Sequence, residues 1–234
     1  MTDPLDGEAP SELNELATII GHDFDDIGLL RRAMAHRSWC AETPGERSNE
    51  RLEFLGDAVL GWVIADLAFR RFDTLAEGLL TDLRKSVVNA TALAEVAEQI
   101  GLGDHLLLGR GEAAAGGAHK PSILSDALEA VLGAVYLDGG TGPAYAMVER
   151  WVGPRMSTTI ERLDSLDNKT QLQELAARLG KGAPVYLVTA RGPDHAKVFH
   201  AKVSIDGDVL GEGDGSSKKA AEQSAATHAS AALS

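Results

Sequence analysis

The chain has 234 residues with a formal net charge of −13, and 44% of its residues are hydrophobic. This length supports a buried core without covalent cross-links, either as one domain or as a medium-sized domain followed by a small one. Because Cys40 is the only cysteine, a disulfide framework and a cysteine-based zinc site are excluded. No apolar run approaches the roughly 18 residues of a membrane span, and the first residues lack a signal-peptide pattern. We therefore expect a cytoplasmic protein without a membrane partner.

The acidity is confined to the first part of the chain. Residues 1–166 contain 14 lysines and arginines against 27 aspartates and glutamates, whereas residues 167–234 contain 8 of each. An acidic average argues against nucleic-acid binding, because contacts to phosphate depend on lysine and arginine. A bound divalent cation inverts the local field, however, and a balanced small domain can concentrate its lysines on one face. Whether the chain binds nucleic acid therefore depends on the charge distribution within each part of the chain, not on its net charge.

Before residue 166 the predicted elements are all helical. Residues 1–11 contain two prolines and three acidic residues with little to bury, which predicts a disordered tail. Helices are predicted from about Ser11 to Ile20 and from about Asp25 to Ala35. Because no segment in this part alternates with a period of two, it is predicted to be all-α.

The segment Asn49–Leu60 is predicted to begin the central helix of this part. At about 100° per residue, Glu50, Glu53 and Asp57 fall on one side of the helix, opposite an apolar stripe. Phe54 lies within the acidic half, where a bulky aromatic side chain needs a cover. Charged helix faces are usually solvated, so this pattern alone leaves an ordinary surface helix open.

A second acidic helix, predicted at Ile123–Leu137, repeats the arrangement. Asp126 and Glu129 share a face with small residues, and like charges held close together resist ionisation unless a cation compensates them. The glycine-rich segment 108–120 has no Gly-Lys-Ser/Thr and no preceding strand, so it is predicted to be a flexible connection rather than a phosphate-binding loop. The other helices predicted in this part are the continuation of the central helix to Phe72, Glu77–Val88, Asn89–Ile100 and Gly142–Arg162.

From Lys169 onward the pattern predicts a small α+β domain of order α-β-β-β-α, after a polar linker at residues 157–168. Asp206-Gly207 is a hairpin signal between two strand-like segments. The predicted elements are a helix closed by Gly180, strands Val185–Ala190, Phe199–Ile205 and Val209–Gly213, and a helix from about Ser217 to Leu233.

Two lysines stand in the first turn of this last predicted helix. Lys218 and Lys219 are locally unfavourable there by about 0.3–1 kcal/mol each, because the helix dipole is positive at this end. Together with the glycine-bearing lead Gly211–Gly215, they predict a seat for phosphate. Solvated lysines on a surface helix are an equally good interpretation of these residues alone.

Two acidic segments resemble the motifs of bacterial ribonuclease III. The segment Asn49–Leu60 reads Asn-Glu-Arg-Leu-Glu-Phe-Leu-Gly-Asp-Ala-Val-Leu, and Lys120–Ala130 reads Lys-Pro-Ser-Ile-Leu-Ser-Asp-Ala-Leu-Glu-Ala. The resemblance extends from about Glu12 over nearly the whole chain. Three further segments are similar to a double-stranded-RNA-binding domain, namely Lys169–Glu174, Gly192–His195 and Gly215–Ala220.

The resemblance implies a helical catalytic domain at residues 12–156 and an RNA-binding domain at residues 169–234. It implies that four carboxylates hold Mg²⁺, with Mn²⁺ as a substitute, and that Asp57 and Glu129 are also catalytic. Phe54 matches an aromatic that enters a pocket on a partner subunit, which implies a homodimer. The implied metal ligands are Glu53, Asp57, Asp126 and Glu129. The implied RNA-binding residues are Gln171, Glu174, His195, Lys218 and Lys219, while Glu50 and Glu77 match positions for RNA contact or site organisation.

The implied activity is hydrolysis of double-stranded RNA, including ribosomal RNA precursors, by metal-activated water. The resemblance further implies 5′-phosphate and 3′-hydroxyl ends with short 3′ overhangs. Two rival hypotheses stay open, because the residues alone do not demonstrate cleavage. One is an RNA-binding or ribosome-assembly protein on the same fold that does not cut, and the other is a metal-buffering or scaffold protein without affinity for duplex RNA.

Overall fold

The computed structural model of the chain describes residues 11–164, 168–193 and 197–233. The described residues divide into two compact units, with the boundary between Thr159 and Ile160. The helices that begin before this boundary are α1 (Ser11–Ile20), α2 (Ile27–Ala33), α3 (Arg37–Glu42), α4 (Glu50–Arg71), α5 (Glu77–Val87), α6 (Ala90–Ile100), α7 (Arg110–Ala114), α8 (Pro121–Gly139), α9 (Thr141–Trp151) and α10 (Gly153–Asp164). Two short 3₁₀ helices lie at Leu102–His105 and Gly117–His119. The prediction of an all-α first part is confirmed.

The core of the first unit lies between α4 and α8, whose backbones are in contact. A β-carbon added at Gly56 of α4 would lie 1.8 Å from the Glu129 carbonyl oxygen of α8. One added at Gly133 would lie 2.3 Å from the Leu52 carbonyl oxygen. Both positions therefore require glycine, and the pair allows the backbones of the two acidic helices to pack directly against each other.

Local sequence signals account for several helix ends. Asn89 caps α6, because its Oδ1 accepts a hydrogen bond from the backbone N–H of Ala92 at 3.0 Å. The same helix ends at Gly101, which has a φ of +81° that side chains disfavour. Asp26 caps α2 in the same way, which is why this helix begins at Ile27 rather than at the predicted Asp25.

Three predicted segments differ from the structure. The glycine-rich segment 108–120, expected to be a flexible connection, contains α7 and the second 3₁₀ helix. The single helix expected at 142–162 is two helices, α9 and α10, with a break at Val152. Pro154 explains the break, because it lacks an N–H and its ring clashes with the carbonyl four residues earlier. Helix α10 also covers residues 157–164 of the predicted linker, and residues 165–167 lie outside the described residues.

The second unit is a three-stranded antiparallel sheet covered on one face by two helices. Its elements are α11 (Asn168–Arg178), β1 (Val185–Arg191), β2 (Val198–Ile205), β3 (Asp208–Gly215) and α12 (Lys218–Leu233), with strand order β1-β2-β3. Its core joins Leu172 and Ala176 of α11 to Ala201 and Val203 of β2 and to four alanines of α12. This order confirms the predicted α-β-β-β-α domain.

The glycines before α12 have a packing role that the sequence interpretation did not foresee. Gly211, Gly213 and Gly215 alternate along β3 and face α12. A β-carbon at any of them would lie 2.2–2.5 Å from backbone atoms of that helix. These glycines are therefore part of the strand–helix contact and not a loop that cradles phosphate.

Among the described residues, no helix combines the length and the apolar character that crossing a membrane requires.

Candidate functional site

Three carboxylates from the two acidic helices meet in the first unit. Glu53 of α4 and Asp126 and Glu129 of α8 each offer one oxygen, and these oxygens lie within 4.8 Å of one another. Asp126 and Glu129 are three residues apart, so they project from the same face of α8. The contact at Gly56 and Gly133 brings Glu53 to that face, since it removes the side-chain layer that normally separates two helices.

The three carboxylates repel one another in a half-buried setting. Burial, followed by the charges of Asp57, Asp126 and Glu53, raises the pKa of Glu129 to about 7. Burial is also the main cause that raises the pKa of Glu53 and of Asp126 above their usual values. Such a cluster is stabilised in its ionised form by a divalent cation, and its all-oxygen donors suit hard cations such as Mg²⁺, Mn²⁺ and Ca²⁺. The donor set thus fits a metal ion.

The fourth predicted ligand, Asp57, lies at the edge of this group. Its side chain is exposed, and it is not one of the residues whose oxygens lie within 4.8 Å of one another. Its charge is nevertheless the strongest of the neighbouring charges that raise the pKa of Glu129. Asp57 is therefore close enough to act on Glu129 but lies outside the compact cluster.

The two further acidic positions differ in their surroundings. Glu50 lines an open cavity of about 420 Å³ beside the cluster, together with Glu53 and Asp126. Its carboxylate accepts a hydrogen bond from Ser48 at 2.7 Å. Glu77 lies on α5, where it accepts a hydrogen bond from Thr81 at 2.8 Å, and it does not line this cavity. The structure thus brings Glu50, but not Glu77, to the cluster.

The same cavity is lined by residues that had no predicted role. Arg37 and Lys120 are part of its wall, and Glu112 accepts a hydrogen bond from Lys120 there at 2.5 Å. The one available signal was indirect, because Lys120 directly precedes Pro121 and hence the helix that carries the carboxylates. Tertiary contact between α3, α7 and α8 is needed to bring these charges together.

An apolar stripe runs along the outer side of α4. Phe54 is 80% exposed and Phe69 is 74% exposed, and Trp62 between them is also exposed. A narrow apolar cleft also lies in this unit, with Glu129 in its wall beside leucine, methionine, valine and tryptophan side chains. Within the part of the chain that the structure describes, the Phe54 side chain is therefore left mostly uncovered.

Four of the five predicted RNA-binding residues lie on helices of the second unit. Gln171 and Glu174 are exposed on α11, and Lys218 and Lys219 are exposed in the first turn of α12. His195 lies outside the described residues. The backbone N–H of Ala220 donates to Ser217 at 3.1 Å, which caps α12.

Comparisons with known proteins agree with this geometry. Residues 26–156 match the model of the ribonuclease-III-like family, and residues 168–233 match the model of the double-stranded RNA binding motif. Proteins named ribonuclease 3 from Leifsonia xyli and Mycobacterium bovis are 50% and 51% identical to the chain. These alignments cover 92% and 93% of the chain and 90% and 92% of the relatives.

A solved structure gives the same result for the first unit. The nuclease domain of ribonuclease III from Campylobacter jejuni is 41% identical, with a TM-score of 0.56, over 60% of this chain and 95% of that domain. That nuclease domain is flexible in a region involved in dimer formation. The matching family model covers more than half of the chain, and the relatives share about half of its residues over nearly its full length. The chain belongs to the ribonuclease III family, whose members are endoribonucleases that act on double-stranded RNA.

Proposed function

We propose that the chain hydrolyses phosphodiester bonds of double-stranded RNA at the acidic cluster, as a homodimer with two such sites. The proposed products carry 5′-phosphate and 3′-hydroxyl ends with short 3′ overhangs, and the proposed substrates include ribosomal RNA precursors in the cytoplasm. The proposed organisation is a nuclease domain at 12–156, a linker at 157–168 and an RNA-binding domain at 169–234. The observation that carries this proposal is the convergence of Glu53, Asp126 and Glu129 on one point.

The carboxylates of the cluster would act as the metal ligands. Magnesium, or manganese in its place, supplies a water-derived nucleophile and stabilises charge on the leaving oxygen when it is bound. Glu53, Asp126 and Glu129 would hold it through carboxylate oxygens. Asp57, at the exposed edge and close to Glu129, would complete the ligand set. No serine, cysteine or histidine nucleophile is required.

The proposal of a homodimer is based on the exposed aromatic side chain of Phe54 on α4. Burying a phenylalanine side chain stabilises an assembly by about 1.5–3 kcal/mol, and Phe54 is left 80% exposed in the single chain. We expect the partner's Phe54 to bind in the cleft that is lined by Leu60, Leu132, Met147 and other apolar side chains. A region involved in dimer formation is also described for the Campylobacter jejuni nuclease domain, which supports dimer formation in general.

The second unit would select the substrate by its shape. A domain of this kind spans about 16 base pairs of duplex RNA and contacts 2′-hydroxyls in two minor grooves and phosphates between them. Gln171 and Glu174 would contact 2′-hydroxyls, while Lys218 and Lys219 would contact phosphates at the start of α12. His195 remains a predicted RNA contact.

The test is cleavage of a defined RNA hairpin by the full chain. With Mg²⁺ we expect products that carry 5′-phosphate ends and short 3′ overhangs, and with Ca²⁺ or EDTA we expect binding without products. Binding in all three conditions without Mg²⁺-dependent products would leave only the hypothesis of a binding protein that does not cut. Absence of duplex affinity would favour a scaffold or metal-buffering role instead.

A further inference from the structure

The cavity beside the acidic cluster carries charges of both signs on its walls. Glu53 and Asp126 form the part of the wall that it shares with the cluster, and Arg37 and Lys120 add two permanent cations. The cations come from different elements, since Arg37 is the first residue of α3 and Lys120 directly precedes α8. The chemistry proposed above gives neither cation a role.

Lys120 is held at the cavity by a specific partner. Its Nζ donates a hydrogen bond to Glu112 Oε1 at 2.5 Å, and this bond is the main reason that the pKa of Glu112 lies below its usual value. Glu112 is itself confined, because a β-carbon at Gly117 would lie 2.8 Å from its Cγ. The Lys120 side chain still keeps 43% of its surface in contact with solvent. The Lys120 side chain is therefore held at the cavity and is still accessible to a ligand from solvent.

The charge balance of the cavity decides what it can bind. When its four carboxylates, Glu50, Glu53, Glu112 and Asp126, are all ionised, they stand against the two cations Arg37 and Lys120. This leaves an excess of two negative charges, which repels an anion. Divalent metal held by the cluster would offset that excess. Guanidinium and ammonium groups then remain as donors for an oxyanion, and phosphate is the oxyanion that both bind well.

We propose that this cavity is a phosphate subsite for the RNA backbone, in which Lys120 and Arg37 bind a phosphate next to the cleaved bond. Glu112 keeps Lys120 in place while RNA is absent. The inference rests on the proposed nuclease function, because the cavity adjoins the cluster at which cleavage would occur. The opposing interpretation is that the Glu112–Lys120 pair only fastens α7 to the start of α8.

The experiment compares Lys120→Gln, Lys120→Arg and Glu112→Gln with the native chain. The matched control is Arg110→Gln, because Arg110 is also a cation of this unit but is almost fully exposed, pairs with Glu42 at 3.3 Å and does not line the cavity. Four quantities are measured on the full chain with an RNA duplex longer than about 16 base pairs. They are kcat and KM with Mg²⁺, the salt dependence of binding with Ca²⁺, and the thermal unfolding midpoint.

For Lys120→Gln we expect KM to rise about tenfold and the slope of log K against log salt to become shallower by about 1, since one phosphate contact is lost. Lys120→Arg should restore both values, because it returns the cation. Glu112→Gln should keep the native slope, as should Arg110→Gln.

If Lys120→Gln has the same KM and the same salt-dependence slope as the native chain, the proposed phosphate subsite is wrong. An equal loss of slope in Lys120→Gln and Glu112→Gln together with a lower unfolding midpoint would also overturn it, since that result shows a fastening role. If the native chain binds duplex RNA but cuts nothing, the proposed nuclease function fails. The binding slopes still decide whether Lys120 contacts phosphate.

Discussion

Replacing Glu129 by glutamine should make the metal-free nuclease domain more stable while removing its activity. The pKa of the Glu129 carboxyl rises from 4.5 to about 7 in the fold, and one pKa unit corresponds to about 1.4 kcal/mol. The ionised carboxylate therefore destabilises the fold by at most about 3 kcal/mol. Because the side chain keeps contact with water, which screens its neighbours, we expect about 1–2 kcal/mol.

The sign of the pH dependence follows from linkage. Between pH 4.5 and about 7 the folded protein binds a proton at Glu129 that the unfolded chain has lost, so stability falls as pH rises through this window. The native chain should therefore be least stable, relative to Glu129→Gln, above pH 7. Below pH 4.5 the carboxyl is protonated in both states, and the difference between the two proteins should vanish.

Tryptophan fluorescence provides the assay, because Trp39, Trp62 and Trp151 all lie in the first unit. Above pH 7 with EDTA, a gain of about 1–2 kcal/mol corresponds to an unfolding midpoint higher by about 2–8 °C for a domain of this size. Added Mg²⁺ should raise the midpoint of the native chain and not that of Glu129→Gln. Glu15→Gln, an exposed carboxylate on α1, is the matched control and should change neither value.

An equal or lower midpoint for Glu129→Gln without metal would refute the view that the cluster is electrostatically strained. The same variant should bind duplex RNA but not cut it. Retained cleavage would remove Glu129 from the metal ligands, whatever the stability data show.

Three further changes test other parts of the structure. Gly56→Ala should destabilise the first unit by about 1–3 kcal/mol in urea unfolding, because its β-carbon forces α4 away from α8. Gly78→Ala, in open space on α5, should be neutral or stabilising, and equal effects at the two sites would contradict this packing. Phe54→Asp should give monomers in light scattering, and persistent dimers would show that the ring packs elsewhere. Lys218→Ala combined with Lys219→Ala should weaken duplex binding and flatten its salt dependence in filter binding, and an unchanged slope would exclude them as phosphate contacts.

Some parts of the molecule could be predicted because they depend on local order in the chain. The helical periodicity around Glu53 and around Asp126 fixed which side of each helix is acidic, since 100° per residue applies wherever a helix forms. The alternation in β2 and the Asp206-Gly207 turn fixed the second unit in the same way. Predictions from local sequence patterns were wrong where a long-range contact determined the structure. In the sequence the glycines of β3 resemble a phosphate-binding loop, but in the structure they allow α12 to pack closely against the strand.

The sequence by itself determined that this protein has two acidic helices, a small α-β-β-β-α domain and an aromatic side chain that its own helix cannot cover. Tertiary structure alone decided that Glu53, Asp126 and Glu129 meet while Asp57 lies beside them, and that Lys120 and Arg37 border the same cavity. The physical reason is that periodicity sets directions around one helix axis but carries no distance between two axes. That distance is set by Gly56 and Gly133, where the absence of two side chains lets the backbones of α4 and α8 come into contact.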